Sequence, residues 1–186
     1  GLIIRLMTTT LELTYRHASS ADVDAVVDLV TSAYRGEASR QGWTTEADLL
    51  DGQRTDATDV GATIAHADSI VLLGFDGDVL RGCCHIQRDG DACYFGMFSV
   101  DPAHQGGGAG KLLLAEAERI ALHDWHCAGM KMTVIEGRDE LVAWYERRGY
   151  RRTGEYRPFP YGDERFGIPK RDDLRFEWLV KPLVRA

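Results

Sequence analysis

Past Val100-Asp101-Pro102 the chain carries Gln105-Gly106-Gly107-Gly108-Ala109-Gly110, then Lys111 and apolar residues at Leu113, Ala117, Ile120 and Ala121. The apolar spacing is helical. A turn with so few side chains lets a ligand come close to the backbone. The first turn of the helix presents N–H groups without intrahelical partners at the positive end of the dipole, so an anion, phosphate first, is expected there. Two familiar phosphate loops do not fit. A P-loop needs Gly where Gln105 stands and a hydroxyl where Leu112 stands. A dinucleotide fingerprint needs Gly at 105 or, begun at Gly106, Gly at 111, which is Lys. The pattern that remains is Gln-x-x-Gly-x-Gly after Val-x-Pro.

Other chemistry-bearing groups are scattered along the chain. In Leu141-Val142-Ala143-Trp144-Tyr145-Glu146-Arg147-Arg148-Gly149-Tyr150, the helical pattern alone makes Tyr145 a core aromatic beside Leu141. Tyr34, Arg35, Arg40 and Trp43 mix arginine with aromatic rings, which suits a ligand with a carboxylate and an apolar or planar part, although surface charge explains them equally. His123 and Cys127 share a helix face, but no further ligand cluster follows, so no metal is expected. Cys83, Cys84 and Cys93 fall in strand positions and read as buried core.

The segment from Val100 to Gly110 resembles the acyl-CoA pyrophosphate loop of the GNAT superfamily of N-acetyltransferases. Trp144-Tyr145-x-x-x-Gly149-Tyr150 resembles the family's aromatic-Tyr-x-x-x-Gly-Phe/Tyr segment. The resemblance implies acetyl-CoA as co-substrate, held by Gln105, Gly106, Gly107, Gly108, Ala109, Gly110 and Lys111. It also implies two strands that splay apart before this loop, with the backbone of Phe98, Ser99 and Val100 bonding the pantetheine arm and Phe98 N–H polarising the thioester carbonyl, a preorganised donor of the kind that often supplies the largest catalytic term. Tyr145 becomes the acid that protonates the departing thiolate, a phenol near pKa ~10 facing a thiol near ~8.5. Where the family often has Asn seven residues before this Tyr, the chain has Arg138, which puts that contact in doubt and suits a phosphate instead. An amine arrives protonated, so a base is needed; Glu136, just past the strand flanking the gap, and Glu46, over the acceptor side, are the candidates, with a water relay as the alternative. Tyr34, Arg35, Arg40 and Trp43, with the loop 157–173, are expected to line the acceptor pocket.

These groups need a scaffold, and the pattern supplies one. Leu11–Arg16 alternates as a strand, and Ser19 or Ser20 caps a helix ending near Tyr34. Thr44–Leu50 reads as a short helix and Asp51–Asp68 as a polar stretch. Ile70–Gly74, Val79–Gln87 and the strand leading to Val100, joined at Asp76-Gly77 and Asp89-Gly90-Asp91, read as an antiparallel meander. The long helix from Lys111 is expected to end at Gly129. Met130–Ile135, a helix 138–148 closed by Gly149, and strands at 150–156 and 174–180 follow. This order matches the GNAT fold: α/β, a mixed and largely antiparallel sheet of six to seven strands flanked by about four helices.

With 186 residues, the expectation is one domain over 8–186, with 1–7 as an extension outside it. A hydrophobic share of 44% and a charged share of 27% are ordinary for a globular chain. A formal charge of −7 argues against nucleic acid as a partner, and no apolar run is long enough for a membrane span. Four cysteines without a C-x-x-C pair fit a reducing, cytoplasmic setting. The expected partner is a small-molecule amine, with a protein N-terminus or lysine as the rival acceptor and a non-catalytic acyl-CoA-binding module as the rival function. A homodimer is common in the family, and nothing in the sequence marks its interface.

Overall fold

The computed structural model of the chain describes residues 11–35, 50–51, 54–102, 108–162 and 167–184. Strands β1 (Thr14–His17), β3 (Ser69–Asp76), β4 (Val79–Asp89), β5 (Ala92–Val100), β6 (Gly129–Ile135), β7 (Arg151–Pro158) and β9 (Arg175–Pro182) form one sheet in the order β1-β3-β4-β5-β6-β9-β7. Within it only β5 and β6 run parallel. A second, two-stranded sheet joins β2 (Leu50–Asp51) to β8 (Ile168–Pro169). The helices are α1 (Val23–Tyr34), α2 (Ala57–Ala65), α3 (Ala109–Arg119) and α4 (Asp139–Glu146).

Side-chain alternation along the strands divides the core in two. Val71, Leu73 and Cys83 turn to one face and pack under Val26, Leu29, Val30 and Ala33 of α1 and Val60 of α2. Leu72, Cys84, Ile86, Phe95 and Phe98 turn to the other and pack under Leu113, Leu114 and Ala117 of α3 and Leu141 and Val142 of α4. Adjacent Cys83 and Cys84 thus serve opposite layers. Gly82 lets β4 and β5 approach closely where both layers meet: a Cβ there would lie 2.8 Å from the Ser99 carbonyl oxygen.

The meander, the α1 helix and the four later elements stand where the pattern predicts. Two expectations change, and a third falls outside the described residues. The stretch 51–68 is not merely polar but contains α2, capped by the Asp56 carboxylate accepting from the Asp59 N–H at 2.8 Å; its single buried residue, Val60, gives too faint a stripe to read as helical. The helix expected over Thr44–Leu50 lies outside the described residues except for Leu50, which belongs to β2. The long helix does not run to Gly129. It widens into a π turn over Ile120–Asp124, and His126 takes the left-handed conformation, φ +55°. Gly129 instead opens β6, where a Cβ would come within 3.1 Å of the Lys181 carbonyl oxygen.

The four cysteines are free and buried. Burial pushes the Cys83 and Cys93 thiols up to about 12 and the Cys84 and Cys127 thiols upward as well. Since the thiolate is the reactive form, a disulfide-exchange reagent at neutral pH is expected to label none of them in the native protein within minutes and all four in denaturant, read as released chromophore.

His85 on β4 stands 2.6 Å from the Ser69 hydroxyl, and burial, with a contribution from His66, pushes its pKa down to about 4. An unfolded imidazole titrates near ~6.5, so below that pH protons favour the unfolded chain. The stabilisation is complete above pH ~6.5 and declines as pH falls through about 4. His85→Gln is expected to flatten the loss of urea-unfolding stability between pH ~6.5 and ~4 by on the order of 2 kcal/mol relative to the unsubstituted chain.

Candidate active site

The parallel pairing of β5 with β6 covers Ala92↔Gly129, Cys93↔Met130 and Tyr94↔Lys131 and then stops. β5 continues to Val100 along β4, and β6 continues to Ile135 along β9, so the sheet opens between them. On β5 the opening coincides with a bulge. His85 faces Gly96 and Cys83 faces Ser99, which leaves Met97 and Phe98 together opposite Cys84. Met97 takes φ +51°, a left-handed conformation uncommon for a side chain of its size. Such a bulge bends and twists its strand.

Backbone direction past the bulge follows from one bond. The Asp101 N–H donates to the Arg81 carbonyl at 3.0 Å, so Val100 and Gly82 face each other as a pair that exchanges no bond. Strand alternation therefore turns the N–H and C=O of Val100 toward the opening and those of Ser99 toward β4. The Phe98 carbonyl accepts the Tyr34 hydroxyl, which ties the end of α1 to the rim of the opening.

A cavity of about 170 Å³ occupies this place. Residues 95–98 of β5 and 132–135 of β6 form its sides. Leu141 and Tyr145 reach it from α4, and Tyr34, Arg35 and Arg54 from the side of α1; Arg157, Phe159 and Phe176 line it further along. Because α1 and α4 lie on opposite faces of the sheet, the cavity passes between the faces.

Tyr145 is held by its surroundings. Its ring centroid lies 6.3 Å from that of Phe98, 5.2 Å from Trp144 and 5.7 Å from Tyr150. Its carbonyl accepts from the N–H of Arg148 at 2.9 Å and of Tyr150 at 3.2 Å, and Gly149 closes the helix at φ +97°. Burial, then the neighbouring Tyr34, holds its phenol well above the usual range. Arg138, at the residue preceding α4, lines the same cavity and works in the opposite sense on that phenol.

At the mouth of the loop after β5, Gly108 takes φ +86° and caps α3. A Cβ built on it would meet nothing within 4 Å. The N–H groups of Ala109, Gly110 and Lys111 begin α3, and the first intrahelical acceptor is Gly108 O, which receives the Leu112 N–H at 3.2 Å. Left-handed glycine, open space and three leading N–H groups suit an anionic ligand. Gln105, Gly106 and Gly107 lie outside the described residues, as do Glu46, Arg40 and Trp43.

The structure thus brings Tyr34, Arg35, Phe98, Arg138 and Tyr145 together around one cavity. It does not bring Glu136 there. The Glu136 carboxylate is bound by the Arg175 guanidinium, which holds it below the usual carboxylate range, and the backbone N–H of Glu136 donates to the Arg175 carbonyl at 2.9 Å. Arg54, Tyr94, Thr133 and Phe176 line the cavity without any local signal in the sequence. Only the splay of β5 from β6, once expected, singles out inward positions such as Thr133.

The model of the acetyltransferase (GNAT) family matches residues 24–150. Among solved structures the fold is similar to the ribosomal-protein-S18-alanine N-acetyltransferase from Escherichia coli, at TM-score 0.69 and 14% identity over 94% of this chain and 96% of that one. It is similar to yncA from Salmonella typhimurium, solved with its cofactor acetyl-CoA, at TM-score 0.67 and 18% identity over 94% and 96%. It is also similar to a spermidine N-acetyltransferase chimera from Vibrio cholerae and hSSAT, at TM-score 0.66 and 14% identity over 92% and 95%. No curated protein matches the sequence. A seven-stranded sheet that opens between its parallel pair, a glycine-led helix after it and a family match across both leave one conclusion: the chain belongs to the acetyltransferase (GNAT) family, which uses acetyl-CoA.

Proposed function

We propose that the protein is an N-acetyltransferase that moves the acetyl group of acetyl-CoA to a primary amine of a small, amino-acid-like molecule by direct attack in a ternary complex. The observation that carries this reading is the opening between β5 and β6 with Tyr145 on its lining. Bound there, acetyl-CoA supplies a thioester carbonyl to a neutral amine.

The peptide groups of Val100 point away from β4 and suit the amides of an extended pantetheine arm. The bulge places Met97 and Phe98 together opposite Cys84, and Phe98 N–H is the donor we assign to the carbonyl oxygen. Ala109, Gly110 and Lys111, with the loop before them, suit the diphosphate, and Arg138 offers a further cation. Tyr145 stays protonated through neutral pH because burial raises its pKa. Full transfer of its proton to a thiolate whose conjugate acid titrates near ~8.5 is uphill, so its hydrogen bond to the developing charge does most of the work and solvent completes the protonation.

The proton on the incoming ammonium needs another acceptor. Glu136, engaged by Arg175 away from the cavity lining, is a poor base, and the role is assigned to Glu46, with water as the alternative. Four buried free thiols support a reducing compartment.

CoA thiol release across an amine panel tests the reading, with calorimetry of acetyl-CoA alongside. Tyr145→Phe is expected to lower kcat by about 10²–10⁴-fold and to leave acetyl-CoA affinity within about threefold. Glu136→Gln is expected to stay within about threefold of the unsubstituted rate, and Glu46→Gln to shift the acid limb of the pH–rate profile. Tight acetyl-CoA binding with no turnover on any amine makes the protein a sensor instead. Absence of acetyl-CoA binding removes the whole reading.

A further inference from the structure

We propose that Arg54 and Arg157, backed by Arg35, form a subsite for an anionic group, a carboxylate, on the acceptor amine; this deepens the acetyltransferase reading and rests on it. All three line the cavity. Arg35 is only 5% exposed at the end of α1. The Arg54 guanidinium lies 5.0 Å from the centre of the Tyr34 ring, and the Arg157 guanidinium 4.9 Å from the centre of the Phe176 ring.

The same arrangement therefore occurs twice: a planar cation seated on an aromatic ring that itself lines the cavity. Stacking fixes the plane of a guanidinium while its N–H groups, which lie in that plane, remain able to grip a carboxylate in a two-pronged fashion. The charge is local and does not follow from composition. The chain holds 29 acidic against 22 basic residues, yet among its described lining residues the cavity has four arginines and no Asp, Glu or His. Arg138, beside Tyr145, is the one assigned above to the cofactor.

A cationic acceptor would bring further positive charge among these arginines, an unfavourable juxtaposition. A zwitterion with its carboxylate between Arg54 and Arg157 relieves it. Tyr34, Phe159 and Phe176 then offer apolar faces to the body of the molecule. The substrate class is an α-amino acid or a close analogue with an uncharged side chain.

The test uses matched pairs: methionine with methioninamide, phenylalanine with phenylalaninamide, and spermidine as the cationic control. The expected result is a kcat/KM at least about tenfold higher for each acid than for its amide or for spermidine. Arg54→Gln and Arg157→Gln are each expected to raise KM for the acids about tenfold or more, the scale of one lost charge-assisted bond. The KM for the amides and the Kd for acetyl-CoA are expected to stay within about twofold, which also shows that the variants fold. Equal or better use of the amides or spermidine overturns the subsite, as does an acid-to-amide ratio unchanged in both variants. If acetyl-CoA binds and no amine is acetylated, calorimetry of N-acetylmethionine against its amide on the CoA-loaded protein decides: preference for the acid supports the subsite and parity overturns it. Failure of the acetyltransferase reading shows separately, as loss of acetyl-CoA binding.

Discussion

Three residue pairs hold β5 to β6, and beyond them the two strands part. That short parallel contact, set in a sheet whose other neighbours are antiparallel, is the constraint from which the rest follows. A helix crossover is required to bring β6 parallel to β5, and α3 is that crossover. The loop entering α3 must start where β5 ends, which places the leading N–H groups of the helix next to the opening. Each strand stays anchored on its outer side, β5 by the β4 ladder and β6 by β9, so the opening is a property of two stiff wings. The bulge at Met97 and Phe98 then decides which peptide groups face inward. The Tyr34 hydroxyl on the Phe98 carbonyl fixes α1 against the same point.

Charge is distributed to the same end. Away from the cavity several arginines are paired with carboxylates: Arg152 with the buried Glu177 at 3.1 Å, Arg16 with Asp22 at 2.8 Å, Arg175 with Glu136. Lys181 and the Tyr150 hydroxyl converge on Glu118 at 2.9 and 3.0 Å, which ties β9, the end of α4 and α3 together beneath Tyr145. Glu177, almost wholly buried, depends on Arg152 for its neutralisation, and loss of a partner from such a pair is far costlier than loss of a surface bridge. Two arginines of the cavity lining, Arg54 and Arg157, rest on aromatic rings. An acidic chain thereby keeps a positive interior surface.

Much of this was legible in the residues. The meander is written in strand alternation and two turn dipeptides, and the helix of Tyr145 in Leu141, Val142 and the closing Gly149. What could not be read has physical reasons. A bulge is a mismatch of register between two strands, so nothing local to Met97 announces it. Arg54 lies within a polar stretch and becomes a cavity residue only because the fold carries it beside Tyr34. Glu136 is near the opening in sequence, but the pairing of β6 with β9 delivers it to Arg175. The helix 57–65 hides because one buried valine does not make a stripe.

A sheet that parts at its centre leaves two strands facing each other across a gap. A ligand that binds the folded chain in that gap stabilises it, and the stabilisation grows with the logarithm of its concentration, about 2.7 kcal/mol at a hundredfold excess over Kd. The protein's resistance to heat and proteases is then coupled to ligand supply.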